Sequence, residues 1–200
     1  MVSFAALVHL ADAALVFPAA AAISAWLVTW RAWRMAFWWS FLFALGIGLV
    51  GASKVAYLGW GAGLPALGFE AVSGHATGAN ALFPTLFFLL LQRGTRPLRA
   101  AGTGLGVALG LTIGALLVVL REHSLAEAAA GCALGLAVSL AAIRMAGQLP
   151  RGRPLHGLLS FGVIFGAGAW IMQQAMLGQW LVWVAIFLSG NEQPTAWGER

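Results

Sequence analysis

Apolar side chains fill long runs along this chain, and most polar or charged positions fall in the short gaps between them. A helix that crosses the hydrocarbon core of a bilayer needs roughly 20 mostly apolar residues. Six stretches meet that requirement, at about residues 3–29, 36–58, 76–92, 101–120, 124–145 and 157–189. The pattern predicts an all-α integral membrane protein, with six transmembrane helices in one bundle and a single polytopic domain over 1–200. The last stretch is long for one span, so it is expected to tilt, to extend past the bilayer, or to break near Gln173 and Gln174. The first is expected to be a retained helix rather than a cleaved signal, because no basic residue precedes Arg31 and Asp12 interrupts the apolar run.

Composition narrows the class further. The chain is 61% hydrophobic and 8% charged, whereas an ordinary soluble domain is about 25% charged. A soluble enzyme, a disordered regulator and a fibrous protein are excluded on that ground. The net charge of +5 does not signal nucleic acid, because the basic residues are dispersed among the gaps. Counting gaps by helix parity puts Arg31, Arg34, Arg93, Arg96, Arg99, Arg144, Arg151 and Arg153 on one side, eight of the 11 basic residues. Lys54, Arg121 and Arg200 fall on the other, with Glu70, Glu122, Glu127, Glu192 and Glu199, and Asp12 lies in the half of the first helix nearest that side. By the positive-inside rule the arginine-rich side is cytoplasmic, which predicts a bacterial inner-membrane protein with both termini outside. Trp30, Trp33, Trp38 and Trp39 flank the first arginines as an interfacial belt would. The single cysteine, Cys132, excludes a disulfide framework and a cysteine-based metal site.

Glycine spacing carries a packing statement. Gly102, Gly106, Gly110 and Gly114 recur every four residues and form one smooth stripe; Gly131 and Gly135, and Gly162 and Gly166, repeat the interval. Small residues let helices approach closely in lipid. Close packing within the chain is the preferred reading, and a homodimer through these glycine-rich faces is the alternative.

Ionisable groups at the membrane edge are functional candidates because burying them is costly. By parity Lys54, His75 and His123 all fall at the outer side. Ser73-Gly74-His75 opens the third span, where free backbone N–H groups and the positive end of the helix dipole favour an anion. The plain alternative is an N-cap serine beside an interfacial histidine. His123 and Glu127 are four apart and share a helix face. Such a carboxylate can accept the Nδ1 proton and leave Nε2 as a nucleophile; the plain alternative is a pair that stabilises the first helical turn. Lys54 alone would merely snorkel to the interface. His9 and Asp12 either extend the site or form an interhelix hydrogen bond, and Glu70 is expected to be solvated.

Taken together, Lys54, then Ser73-Gly74-His75, then His123-x3-Glu127, each at an outer helix end, resembles the type-2 phosphatidic acid phosphatase superfamily. Its members carry K-x6-R-P, P-S-G-H and S-R-x5-H-x3-D, and the matching region lies within about 36–145. The resemblance implies a lipid phosphatase with His123 as the nucleophile that becomes phosphohistidine, Glu127 orienting its ring and His75 as general acid. Lys54, Ser73 and Gly74 would bind phosphate, with Arg121 as a stand-in for a family arginine. It implies no metal and no cofactor. The substrate would be a lipid phosphate or diphosphate: undecaprenyl diphosphate, phosphatidic acid or phosphatidylglycerol phosphate. This chain departs from the pattern at Gly61, where the family has Arg, at Val72 for Pro, at Leu116 and Leu117 for Ser-Arg, and at Glu127 for Asp. Those losses leave a second expectation, a catalytically degenerate member that binds lipid or serves a partner membrane protein.

Overall fold

A computed structural model describes residues 4–146, 154–173 and 175–196. Arg151, Arg153, Gln174, Glu199 and Arg200, which entered the sequence reading, lie outside the described residues. The described chain is helical: α1 (Phe4–His9), α2 (Ala13–Thr29), α3 (Trp33–Trp60), α4 (Gly74–Leu90), α5 (Arg96–Val119), α6 (Leu125–Met145), α7 (Pro154–Met172) and α8 (Leu177–Ser189). Helix is the expected outcome for apolar runs in lipid, where every backbone polar group needs an internal partner. Between α3 and α4 the chain makes a 3-10 turn at Pro65–Leu67 and an antiparallel bridge from Leu64 to Phe69.

The six apolar runs do not become six equal spans. Among the described residues three helices, α3, α5 and α6, are long and apolar enough to cross a membrane alone, and α7 with α8 makes a fourth if that pair, bent by 60°, is one span. The first run is broken at Leu10–Asp12 into α1 and α2, and the Asp12 side chain at the break is turned to His9 and His75. The run expected at 76–92 is α4, 17 residues long. It is the interior helix of the bundle and buries Thr77, Asn80 and Thr85 together with its apolar residues. The last run breaks between Met172 and Leu177, at the place its glutamines pointed to.

Glycine decides how closely the other helices approach α4. A Cβ on Gly106 would lie 2.6 Å from the Phe83 carbonyl oxygen and the Pro84 Cα, and one on Gly110 would meet the Asn80 side chain at 2.7 Å. A Cβ on Gly131 would lie 2.6 Å from the Ser73 carbonyl oxygen. Both α5 and α6 therefore rest directly on the α4 backbone. The α5 stripe and the Gly131–Gly135 face are covered within one chain, whereas a Cβ on Gly162 or Gly166 would meet nothing within 4 Å. The Gly131 contact matters for chemistry, because it sets the start of α6 against the start of α4.

The charges sort to two ends of the bundle. At one end, Trp26 and Trp30 meet Leu89, Arg93 and Leu158 around a small cavity, and Ala146 packs with Ala32 and Met35. At the other end are Lys54, the loop before α4, and the turn between α5 and α6. The tail is tied to the same end: the Thr195 N–H donates to the Leu58 carbonyl, and the Asn191 amide donates to that of Gly59.

Candidate active site

The site starts from a local helix signal. Ser124 caps α6, its hydroxyl accepting the Glu127 N–H at 3.2 Å, and the Glu127 carboxylate accepts the Ser124 N–H at 3.1 Å. This reciprocal capping box fixes the glutamate rotamer. The same Oε2 lies 3.0 Å from His123 Nδ1, and Oε1 accepts the Glu70 N–H at 2.9 Å. Glu127 is 1% exposed, so these donors hold its charge in a dry setting. A carboxylate that already accepts N–H bonds on both oxygens assigns the ring proton to Nδ1. Nε2 of His123 is then the basic, unprotonated nitrogen.

His123 lies in the turn ahead of α6. Burial pushes its imidazole below the ordinary value of 6.5; the Glu127 hydrogen bond and charge oppose this, and the charges of His75 and Lys54 add to it. The ring is therefore neutral over a wider range than a free histidine. That is the state a nucleophile needs.

The turn itself is closed by two N–H groups, those of Glu122 and His123, which both donate to the Leu117 carbonyl at 2.9 and 3.2 Å. This closure puts Arg121 in the left-handed region at φ 60°, a position that glycine normally fills. Arg31 takes the same conformation after α2, at φ 54°, with the Ala32 N–H on the Leu27 carbonyl. A left-handed non-glycine residue stores strain. Arg31→Gly and Arg121→Gly are each expected to stabilise the fold by roughly 0.5–1 kcal/mol, after the added freedom of the unfolded chain is subtracted. Only Arg121→Gly should weaken anion binding, because only Arg121 lines the site. Thermal unfolding in detergent, with inorganic phosphate titrated as a competitor, reads both effects; equal anion affinity in the two variants would remove Arg121 from the site.

A cleft of about 500 Å³ is lined by Lys54, Glu70, Arg121, Glu122, His123 and Glu127, with Leu58, Leu181 and Val182 as apolar wall. A second cavity of about 390 Å³ shares Lys54, Gly178 and Leu181 with it. Gly74 and His75 line this second cavity among apolar residues that include Val16, Phe17, Ile47, Trp180 and Val184. The His75 and His123 ring centroids are 6.3 Å apart, at an interplanar angle of 54°. Lys54 thus stands at the junction of a charged cleft and an apolar groove.

Four of the expected site residues, Lys54, Arg121, His123 and Glu127, meet in one cleft, and Gly74 and His75 border the adjoining groove. Ser73 does neither. It is fully buried, and its hydroxyl accepts the Ala76 N–H at 3.3 Å as the N-cap of α4. The plain alternative for that serine is what the structure shows. Glu70, expected to be solvated, is half-buried on the cleft wall, and its N–H holds Glu127. Ser53 went unnoticed in the sequence; its hydroxyl accepts the Val72 N–H at 3.1 Å and ties the loop to α3 beside Lys54. Gly61, where the resembled superfamily carries an arginine, is the left-handed cap of α3 at φ 65°. Leu117, at the other such position, is fully buried against the core. Neither supplies a charge. Among the described residues, no group of three or more His, Cys, Asp or Glu side chains is arranged to hold a metal ion.

No family model matches the chain, and no solved structure matches it. The chain is similar to the uncharacterized 22.5 kDa protein in the cps region of Klebsiella pneumoniae, with 31% identity over 179 residues that cover 84% of this chain and 85% of that protein. At that identity and coverage, the chain belongs to the same family as the Klebsiella pneumoniae protein.

Proposed function

We propose that this protein is a membrane phosphatase, a divergent relative of the type-2 phosphatidic acid phosphatases, that hydrolyses a lipid phosphate or diphosphate through a phosphohistidine. The observation that carries the reading is the His123–Glu127 pair, Nδ1 lying 3.0 Å from a carboxylate in a cleft shared with Lys54 and Arg121. Phosphoryl transfer asks the protein mainly for positioning and for positive charge around the equatorial oxygens. Nε2 of His123 attacks phosphorus, the bond to the leaving oxygen breaks, and His75 gives that oxygen a proton. Water then cleaves the N–P bond and returns a proton to His75. Lys54 and Arg121 hold the phosphoryl oxygens throughout.

The apolar groove beside the cleft suits a substrate whose tail stays in the bilayer. In this reading the chain crosses the bacterial inner membrane six times, α1 and α2 forming one broken crossing. The arginine-rich end is cytoplasmic, the cleft faces the periplasm or exterior, and both termini lie outside. Gly61 and Leu117 favour the second reading, a degenerate lipid-binding or partner protein, because each replaces a phosphate-binding arginine of the resembled family.

Purified protein in detergent, offered phosphatidic acid, phosphatidylglycerol phosphate and undecaprenyl diphosphate in turn, should release phosphate from at least one. Folded protein that releases none from all three would overturn the phosphatase reading and favour the second.

A further inference from the structure

We infer that Asp12 is a positioning residue for His75, gripping its ring by Nε2 while His9 steadies the other carboxylate oxygen; this rests on the phosphatase reading. Asp12 Oδ1 lies 3.2 Å from His75 Nε2, and Oδ2 lies 3.1 Å from His9 Nδ1. Three observations argue that this bridge is more than a surface contact.

Asp12 occupies the N-cap of α2, where aspartate ordinarily accepts a first-turn N–H, yet its side chain makes no cap hydrogen bond. Both oxygens are turned to imidazoles instead. Asp12 also interrupts an apolar run, a placement that is costly in a membrane and marks a functional group. Finally, the corner that carries it is anchored: Val8 and Ala11 are buried against Ala76 and Ala79 of α4 and against Ile113 and Leu117 of α5. The Asp12 carboxylate is thereby fixed relative to the start of α4.

The chemical consequence concerns which nitrogen acts. A carboxylate only accepts, so the Asp12 contact takes the Nε2–H of His75. Nδ1 is then the atom that gives its proton to the leaving oxygen as the P–O bond breaks, and that takes one from water when the phosphohistidine is cleaved. The ring needs a fixed orientation for both transfers, since proton transfer works only within hydrogen-bond reach. Asp12 mirrors Glu127: each holds one imidazole by the nitrogen that does not react.

A leaving-group comparison on the full-length protein in detergent tests this. Phosphatidic acid has a poor alkoxide leaving group that needs the general acid, whereas p-nitrophenyl phosphate leaves without one. Asp12→Ala is expected to lower kcat/KM, which reads the steps through departure of the leaving group and not the later cleavage by water, roughly 100-fold on phosphatidic acid and less than about 3-fold on p-nitrophenyl phosphate. Asp12→Asn keeps an oxygen that accepts the Nε2–H, and should recover to within about 10-fold of wild type. His9→Ala should lose only about 3-fold on phosphatidic acid. An equal loss on both substrates, or no loss on either, overturns the role of Asp12 while wild-type turnover keeps the phosphatase reading. If Asp12→Ala fails to fold by size-exclusion profile, Asp12→Asn and His9→Ala carry the same comparison. A wild type that turns over none of phosphatidic acid, phosphatidylglycerol phosphate, undecaprenyl diphosphate and p-nitrophenyl phosphate overturns the phosphatase reading and this inference with it.

Discussion

Replacing His123 by alanine is expected to lower phosphate release at least about 10⁴-fold, while the protein keeps its fold. Nε2 is the only atom of the protein asked to form a bond to phosphorus, and Glu127, Lys54 and Arg121 can only hold and neutralise the group in transit. The side chain is partly exposed on the cleft wall, so its loss removes little packing. Steady-state phosphate release measures the rate, and acid quenching with labelled substrate should show an acid-labile phosphoenzyme in wild type that is missing from the variant. A His123→Ala protein that retains a tenth of wild-type activity would mean that water attacks directly. The pH profile carries a sign. Burial lowers the His123 pKa from 6.5, so the ring stays unprotonated, and kcat/KM stays level, to a pH below the ordinary histidine range before the acid limb begins. The same depression makes stability depend on pH. The fold keeps the contribution of a neutral buried ring above pH 6.5 and loses it as pH falls below that value through the folded pKa.

Glu127→Gln should weaken both the fold and the chemistry. The carboxylate accepts N–H bonds from Glu70 and Ser124 and from the His123 ring. An amide of the same shape keeps one acceptor oxygen and turns its NH2 toward the N–H donors on the other side, and a buried group left unsatisfied in this way costs about 1–3 kcal/mol. The rate is expected to fall by about 10²–10⁴, because a neutral amide no longer offsets the positive charge the ring gains when Nε2 bonds to phosphorus, and its NH2 competes with its oxygen for the place facing Nδ1. The acid limb should also move further down in pH, since the Glu127 hydrogen bond and charge raise the His123 pKa against burial. Glu127→Asp keeps the charge and should recover part of the rate. Thermal unfolding and a pH–rate profile on the three proteins separate these effects; a Gln variant whose limb moves upward would show that Glu127 does not face His123.

Several of these features are legible in one dimension. The runs predicted at 36–58, 101–120 and 124–145 appear as Trp33–Trp60, Arg96–Val119 and Leu125–Met145, because length and apolarity are properties of each segment alone. His123 and Glu127 were expected to share a helix face from their four-residue interval; His123 instead lies ahead of the Ser124 cap, and the capping box that fixes Glu127, equally local, leaves the pair 3.0 Å apart. Ser73 was harder. A serine at a helix start looks the same whether it caps the helix or faces a ligand, and only the α4–α6 contact at Gly131, which buries it, decides for the cap. Asp12 posed the same problem, since an interrupted run does not say what the interrupting charge will meet.

Composition and pattern alone determined that the chain is helical and apolar enough for lipid, that its charges sort to two ends, and that a histidine–carboxylate pair stands at one of them. Those properties follow from residue type and a 3.6-residue repeat, which need no knowledge of a partner helix. The tertiary structure decided that α4 is interior, that the first and last runs are broken, that Arg121 joins Lys54 in the cleft, and that His75 answers to Asp12. Each of these depends on how closely two backbones approach across a glycine face, a distance that no single helix contains.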